Sequence, residues 1–264
     1  MRTGTSHPVL HSRVSAVAVW NPSLAGWGIP LQRSSDGEDY TVPGSSLPSA
    51  PMPPAPATPL LLGCPGCGSA IVECAFALAG LPLEVEDVDY SAGSPTRARL
   101  LAVNPLGQVP ALVFPDGRVL TESLAILHGV NELAPDAGLV PGPGEAAREA
   151  FHRWVVFLVA SVYPTFTYGD EPGKWVADER GAGQLRLSTD RHRERLWREM
   201  DAHAMAPWFL GERLSAIDLY LLVMTRWRPG PAWFRTNAAR LDAIATRAGT
   251  LAPLGPILKR HFGA

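Results

Sequence analysis

Two cysteines separated by a proline and a glycine are the residues of this chain best suited to chemistry. Cys64 and Cys67 follow a short apolar run at residues 60–62 and precede a stretch at residues 69–79 with apolar side chains at helical spacing. The pattern predicts a strand, a C-x-x-C turn and a helix. A thiol at a helix N-terminus is stabilised as the thiolate by the helix dipole and by unpaired N–H groups. We therefore expect sulfur chemistry at this turn.

The elements that position this turn are predicted from apolar periodicity and turn residues. Gly80 and Pro82 end the first helix, and residues 115–117 (PDG) are a hairpin signal between two short strands. The predicted strands lie at residues 60–62, 83–88, 111–114 and 118–120, and the predicted helices at 69–79, 98–102 and 123–133. A C-x-x-C after the first strand of this β-α-β-α-β-β-α order predicts a thioredoxin-like domain over residues 59–135.

The rest of the chain differs in composition and in its predicted secondary structure. Residues 136–144 form a Pro/Gly-rich linker, and residues 145–264 are expected to be an all-helical C-terminal domain. Its helices are predicted at residues 145–160, 184–206, 215–226, 237–246 and 254–261. Residues 1–58 are expected to be a disordered Pro/Ser-rich tail, because such a composition offers little to bury. The predicted fold class is α+β, with a thioredoxin-like N-terminal domain followed by an all-α C-terminal domain.

Composition excludes several classes of partner. The chain has 264 residues, of which 46% are apolar, and a net charge of −2, so neither nucleic acid nor an anionic membrane is an expected partner. No apolar run approaches the roughly 18–20 residues that span a bilayer. Three cysteines do not make a disulfide framework, and their sparse use suits a reducing cytoplasm. Two thiols without a second ligand pair give no complete metal site.

Three sequence blocks carry a resemblance to a known family. They are residues 104–112 (NPLGQVPAL), residues 120–127 (LTESLAIL) and residues 208–218 (WFLGERLSAID). With these blocks the chain resembles a glutathione S-transferase of the bacterial kind over residues 59–264. The resemblance implies an active site in the cleft between the two domains, with glutathione as co-substrate. Within the third block, Ser215 and Asp218 have the spacing of a capping box and predict a role in folding.

The resemblance also implies a set of glutathione-binding residues. Pro110 matches a cis proline of the family, and Val109 before it would pair its backbone with the cysteinyl part of glutathione. Ser123 opens a helix, where N–H groups and the dipole favour the γ-glutamyl carboxylate. Glu122 would pair with the α-ammonium group, and Gln108 would reach the glycyl carboxylate.

The position of the family's catalytic residue is harder to assign in this sequence. Members of the family place a Tyr, Ser or Cys near the end of the first strand, where it donates a hydrogen bond to the glutathione thiolate or forms a mixed disulfide with it. Counting back from the end of the first helix places Cys67 between the usual serine and cysteine positions, and no tyrosine lies close by in sequence. We therefore expect Cys67 to be the catalytic residue, with Cys64 as the next candidate and Ser69 as a helix cap or sulfur donor.

Three functions remain open on these residues. The first is a detoxifying, cytoplasmic, homodimeric transferase that conjugates glutathione to a hydrophobic electrophile, held by aromatic side chains at residues 154–168 and 227–234. The second is a glutathione-dependent thiol–disulfide oxidoreductase using Cys64 and Cys67, although this pair is offset by two residues from the glutaredoxin motif. The third is a non-catalytic module that keeps the same fold.

Overall fold

The computed structural model describes residues 56–263. The predicted tail at residues 1–58 therefore lies almost entirely outside the described residues. The predicted bounds of the two domains stay predictions. The strands are β1 (Leu60–Gly63), β2 (Glu84–Asp87), β3 (Ala111–Val113) and β4 (Val119–Thr121). The helices are α1 (Ser69–Ala79), α2 (Pro95–Val103), α3 (Ser123–Leu133), α4 (Arg148–Phe157), α5 (Tyr163–Asp170), α6 (Glu179–His203), α7 (Ala216–Met224), α8 (Pro231–Asn237), α9 (Ala239–Gly249) and α10 (Gly255–Phe262).

The four strands form one mixed sheet in the order β2-β1-β3-β4. β1 runs parallel to β2 and antiparallel to β3, and β3 and β4 form the predicted hairpin. The turn of that hairpin closes where the Gly117 N–H donates to the Phe114 carbonyl at 2.9 Å. The observed order of strands and helices is the predicted β-α-β-α-β-β-α, followed by helices α4–α10.

Helix α1 is shared between the two parts of the structure. It packs against α3 beside the sheet, and against α7 and α10 of the helical region. Its residues Ile71 and Phe76 belong to a core cluster that also contains Leu219 and Leu258. The C-x-x-C turn at the start of α1 is therefore held against both parts of the chain.

The helix predicted at residues 145–160 is shorter than expected and changes its winding. α4 ends at Phe157, a π-helical turn covers Leu158–Val162, and α5 begins at Tyr163. Pro164 explains the change, because a proline cannot donate the usual helical hydrogen bond and a wider turn accommodates the missing donor. The consequence for the site is that Tyr163 begins a new helix.

Two further features of the helical region differ from expectation. α6 begins at Glu179 rather than at residue 184, because the Asp178 side chain caps it by accepting from the Gly181 N–H at 2.8 Å. Helix α8 occupies a stretch for which no helix was predicted. No helix in the described part of the chain combines the length and the apolar character that crossing a membrane requires.

The capping box before α7 is present as predicted. The buried Asp218 carboxylate accepts from the Ser215 N–H at 2.7 Å and from the Phe209 N–H at 2.8 Å. It therefore ties the loop at residues 208–211 to the start of the central helix. This arrangement agrees with the predicted role of Asp218 in folding.

Candidate active site

Strand pairing brings the predicted site segments to one end of the sheet. Leu62 of β1 pairs with Ala111 of β3, and Ala111 pairs with Thr121 of β4. At this end of the sheet β1 and β4 end, and β3 begins. The C-x-x-C turn, the Val109-Pro110 segment and the start of α3 therefore lie side by side.

The Cys67 thiol lies in a cluster of short polar contacts. Its sulfur is 3.2 Å from the Ser69 hydroxyl oxygen and 2.8 Å from the Cys64 carbonyl oxygen. Ser69 is buried, and its hydroxyl also accepts from the Cys64 N–H at 3.3 Å. Cys64, Cys67 and Cys74 are all free thiols, and Cys74 is buried within α1. The turn thus presents two half-buried thiols and one hydroxyl.

The pKa values of the two thiols in the turn are shifted in opposite directions. The pKa of Cys67 is lowered to about 6, chiefly because its thiolate accepts a hydrogen bond from the Cys64 thiol. The Ser69 hydroxyl and backbone N–H contribute further, and together with the Cys64 thiol they outweigh the effect of burial. The pKa of Cys64 is raised well above its usual range, because its proton is held by Cys67 and because the thiol is partly buried. Of the two thiols, Cys67 is therefore the one that loses its proton more readily.

Tyr163, which sequence spacing did not bring to the site, lies against the same turn. The hydroxyl of this residue, at the start of α5, occupies the space beside Gly68. Burial raises the pKa of Tyr163 well above its usual range, and the neighbouring Tyr220, Cys67 and Glu122 raise it further. The hydroxyl keeps its proton and can donate to an anion. The aromatic residues predicted at 154–168 were the only sequence signal for it.

A substitution at Gly68 tests this contact. A methyl group there would overlap the Tyr163 hydroxyl, whereas the next ring carbon would lie at an ordinary 3.5 Å. Because Trp227 and Tyr220 hold the ring edge to face at centroid distances of 5.6 and 6.3 Å, we expect Gly68→Ala to destabilise the fold by about 1–3 kcal/mol. In urea unfolding, the Gly68→Ala/Tyr163→Phe double variant should regain part of the free energy of unfolding that Gly68→Ala loses, because the overlapping hydroxyl is gone. Equal destabilisation of both variants would contradict the contact.

The segment before β3 is ordered by a buried asparagine. The Asn104 side chain donates to the Gln108 carbonyl at 2.7 Å and accepts from the Leu106 N–H at 3.2 Å. The Val109-Pro110 peptide bond is cis, as the resemblance implied. Pairing between β1 and β3 begins at Ala111, so the Val109 backbone takes no part in it. The Gln108 side chain is exposed at the rim of this segment.

Glu122 and Ser123 lie at the start of α3. Glu122 has φ 64°, and within residues 56–263 no other non-glycine residue has a positive φ. Such a conformation costs about 1–3 kcal/mol and is often found at binding sites. The Ser123 hydroxyl is 2.7 Å from the Tyr220 hydroxyl, a buried contact with the helical region that the sequence did not predict. Glu122 and Ser123, the two predicted glutathione-binding residues of this segment, thus lie on a strained turn whose position is held by a buried contact with the helical region.

Metal ligands are not assembled in this part of the chain. Across residues 56–263, no group of three or more His, Cys, Asp or Glu side chains is placed to hold a metal ion.

Known proteins give a consistent set of matches. The family profile for the glutathione S-transferase N-terminal domain matches residues 69–133. The chain is 38% identical to the GST-like protein YncG of Escherichia coli over 201 residues, which cover 75% of this chain and 96% of that protein. It is 30% identical to glutathione S-transferase GST-4.5 of Xanthomonas campestris, over 69% of this chain and 89% of the relative.

Solved structures agree with this placement. A glutathione transferase homologue from Sulfitobacter, solved with bound glutathione, superposes with a TM-score of 0.70 at 25% identity, over 76% of this chain and 97% of that one. The beta-class enzyme of Sphingomonas chungbukensis gives a TM-score of 0.66 at 26% identity, over 78% of this chain and all of the other. These matches confirm the predicted fold class. The chain belongs to the glutathione S-transferase family.

Proposed function

We propose that this protein is a glutathione transferase that conjugates the glutathione thiolate to a hydrophobic electrophile. The observation that carries the proposal is the placement of the protonated Tyr163 hydroxyl beside the start of α1, next to Cys67. A thiolate bound there would meet a hydrogen-bond donor and the positive end of a helix dipole. Family membership supports a glutathione-dependent transferase in general terms.

Glutathione would lie along the end of the sheet where the three segments meet. The Val109 backbone would pair with the cysteinyl residue, Ser123 and the N–H groups of α3 would hold the γ-glutamyl carboxylate, and Glu122 would pair with the α-ammonium group. The exposed Gln108 would reach the glycyl carboxylate. The glutathione sulfur would then point toward Cys67.

A bound glutathione sulfur would compete with Cys67 for one negative charge. Two adjacent thiolates repel each other, so one of the two sulfurs keeps a proton. The pKa of Cys67, at about 6, favours the charge on Cys67, whereas donation from Tyr163 favours the charge on glutathione. Conjugation requires the charge on glutathione, and this requirement makes Tyr163 the residue that stabilises the reacting thiolate.

Aromatic side chains of the helical region would hold the electrophile. The rings of Tyr163 and Trp227 meet edge to face with centroids 5.6 Å apart, and both residues are half-buried. Phe166 packs behind Trp227 at 5.1 Å and is itself buried, so it supports this wall rather than facing a ligand. A flat apolar molecule with a leaving group would suit such a surface.

Calorimetry and a conjugation assay test the proposal together. We expect glutathione to bind the purified protein and to react with an aryl halide faster than without the protein. Measurable binding without conjugation would reject the conjugating role. Absence of any glutathione affinity would favour a non-catalytic module.

Thiol–disulfide exchange is a second candidate, and the paired thiols favour it. The Cys67 thiolate would attack a glutathione mixed disulfide and form a bond to the glutathione sulfur while the substrate thiolate leaves. A second glutathione thiolate would then attack the bound glutathione sulfur, which forms glutathione disulfide and releases the Cys67 thiolate. In the alternative route, Cys64 would attack the Cys67 sulfur and pass its proton to the departing glutathione thiolate, and two further glutathione molecules would reduce the resulting Cys64–Cys67 disulfide to release glutathione disulfide. For the conjugating function, we also propose that the protein acts in cytoplasmic detoxification and assembles as a homodimer. Light scattering of the purified protein tests the assembly.

A further inference from the structure

The turn that carries Cys67 is held by two side chains from the far end of the chain. Gly66 lies one residue before Cys67, and its N–H donates to His261 Nδ1 at 3.0 Å. Its carbonyl accepts from Trp227 Nε1 at 2.8 Å. Both backbone polar groups of Gly66 are therefore bonded to the helical region. An exposed two-residue turn would otherwise bond to water and sample several conformations.

His261 is itself locked in one orientation. Its side chain is fully buried in α10, and Nε2 lies 2.8 Å from a carboxylate oxygen of Glu73 in α1. Because the Gly66 N–H faces Nδ1, that nitrogen carries no proton, and Nε2 donates to Glu73. Arg260 Nη1 lies 2.9 Å from each Glu73 carboxylate oxygen and 2.9 Å from His261 Nε2, and the same guanidinium pairs with Asp87 at the end of β2. The carboxylate thus fixes both the tautomer and the ring orientation.

We propose that His261, oriented by Glu73 and assisted by Trp227, is a positioning residue that holds the C-x-x-C turn in its reactive geometry. The acceptor Nδ1 selects the conformation in which Gly66 has φ 76°. That conformation sets the contacts of Cys67 with Cys64 and Ser69. α10 thereby belongs to the machinery of the site, which gives the last helix a role beyond packing. The inference rests on the proposed role of Cys67 but needs no particular second substrate.

Alkylation of Cys67 by iodoacetamide as a function of pH tests the proposal without glutathione. Peptide mass spectrometry reads Cys67 separately from Cys64 and Cys74. The groups facing the Cys67 thiol are the Cys64 thiol, the Ser69 hydroxyl and the Tyr163 hydroxyl, and Tyr90 senses its charge from the loop after β2. In the wild type, the rate should rise with a midpoint near the Cys67 pKa of about 6. His261→Leu should move the midpoint upward by up to about one pH unit, which is roughly tenfold in rate at the acidic end.

Two isosteric variants separate positioning from general damage. The oxygen of an asparagine side chain can occupy the place of Nδ1, whereas a glutamine side chain reaches the place of Nε2. We expect His261→Asn to keep the wild-type profile and His261→Gln to lose it. Trp227→Phe, which removes the donor to the Gly66 carbonyl and reduces the ring contact with Tyr163, should shift the midpoint in the same direction but by less. His192→Asn on the exposed face of α6 is the matched control.

The outcomes are decisive in either direction. Folded His261→Leu and His261→Gln proteins with wild-type alkylation profiles would overturn the proposal. Equal shifts in His261→Asn and His261→Gln would overturn it as well, because they would show a loss of packing alone. If His261→Leu fails to fold, the asparagine–glutamine pair still decides. Absence of conjugation in the wild type would reject the proposed function and leave this result standing.

Discussion

Replacing Cys67 should separate the two sulfur chemistries that this site permits. In Cys67→Ser the hydroxyl can donate to a thiolate but does not carry the charge itself at neutral pH. We therefore expect this variant to keep or raise the rate of aryl halide conjugation, because glutathione then holds the only negative charge. Cys67→Ala also removes the competing charge but supplies no donor, so its conjugation rate should be roughly tenfold below that of Cys67→Ser, the cost of about one hydrogen bond.

Disulfide exchange responds in the opposite way. Removal of an attacking nucleophile costs a factor of about 10³ or more, so both Cys67 variants should lose glutathione-dependent disulfide reduction. Cys64→Ser should leave Cys67 as the attacking thiol, with its pKa still below the usual range, because the serine hydroxyl can replace the Cys64 thiol as hydrogen-bond donor to Cys67. The three variants are to be measured in both assays. Abolished disulfide reduction in both serine variants, with no conjugation by the wild type, would overturn the conjugating role.

The sequence was sufficient for the order of elements over residues 60–133 and for helix α7, because local signals mark them. Gly80 ends α1 in a left-handed conformation with φ 65°, and the capping box at Ser215 opens α7. Helix α6 was placed too late because Gly181 and Gly183 weaken the helical pattern, while the cap at Asp178 compensates. Local propensity fails where a single side-chain contact outweighs it.

The site could be predicted only in part, because its supporting contacts are distant in sequence. The cysteines, the cis proline and the start of α3 lie in recognisable blocks. Tyr163, Trp227 and His261 are separated from the turn by long stretches of chain, and nothing in a single sequence pairs them with it. The π-helical turn before Tyr163 adds a further change of direction that helical periodicity does not reveal.

Loss of the Glu122 and Ser123 side chains should weaken glutathione binding strongly. A charge-assisted hydrogen bond lost from a binding site costs about 1.5–3 kcal/mol, so Glu122→Gln or Ser123→Ala alone should weaken affinity roughly tenfold or more. The double variant should lose more than about 100-fold, although neighbouring residues need not add. Titration calorimetry with glutathione measures each loss directly.

The contact between Ser123 and Tyr220 sharpens this prediction. Burial raises the pKa of Tyr220 well above its usual range, so its hydroxyl stays protonated and can donate to the Ser123 oxygen 2.7 Å away. The Ser123 proton is then free to face the γ-glutamyl carboxylate. Tyr220→Phe keeps the buried ring but removes this orientation, and we expect a smaller loss of affinity than in Ser123→Ala.

The strained backbone at Glu122 supplies the matched control. Glycine adopts φ 64° without steric cost, so Glu122→Gly should leave the fold as stable as the wild type or more stable while losing the carboxylate. Glu122→Gln keeps the strain and loses only the charge. If both variants bind glutathione equally weakly, the carboxylate carries the interaction and the strain serves only to place it. Unchanged affinity in folded Glu122→Gln and Ser123→Ala proteins would exclude these residues from the glutathione site.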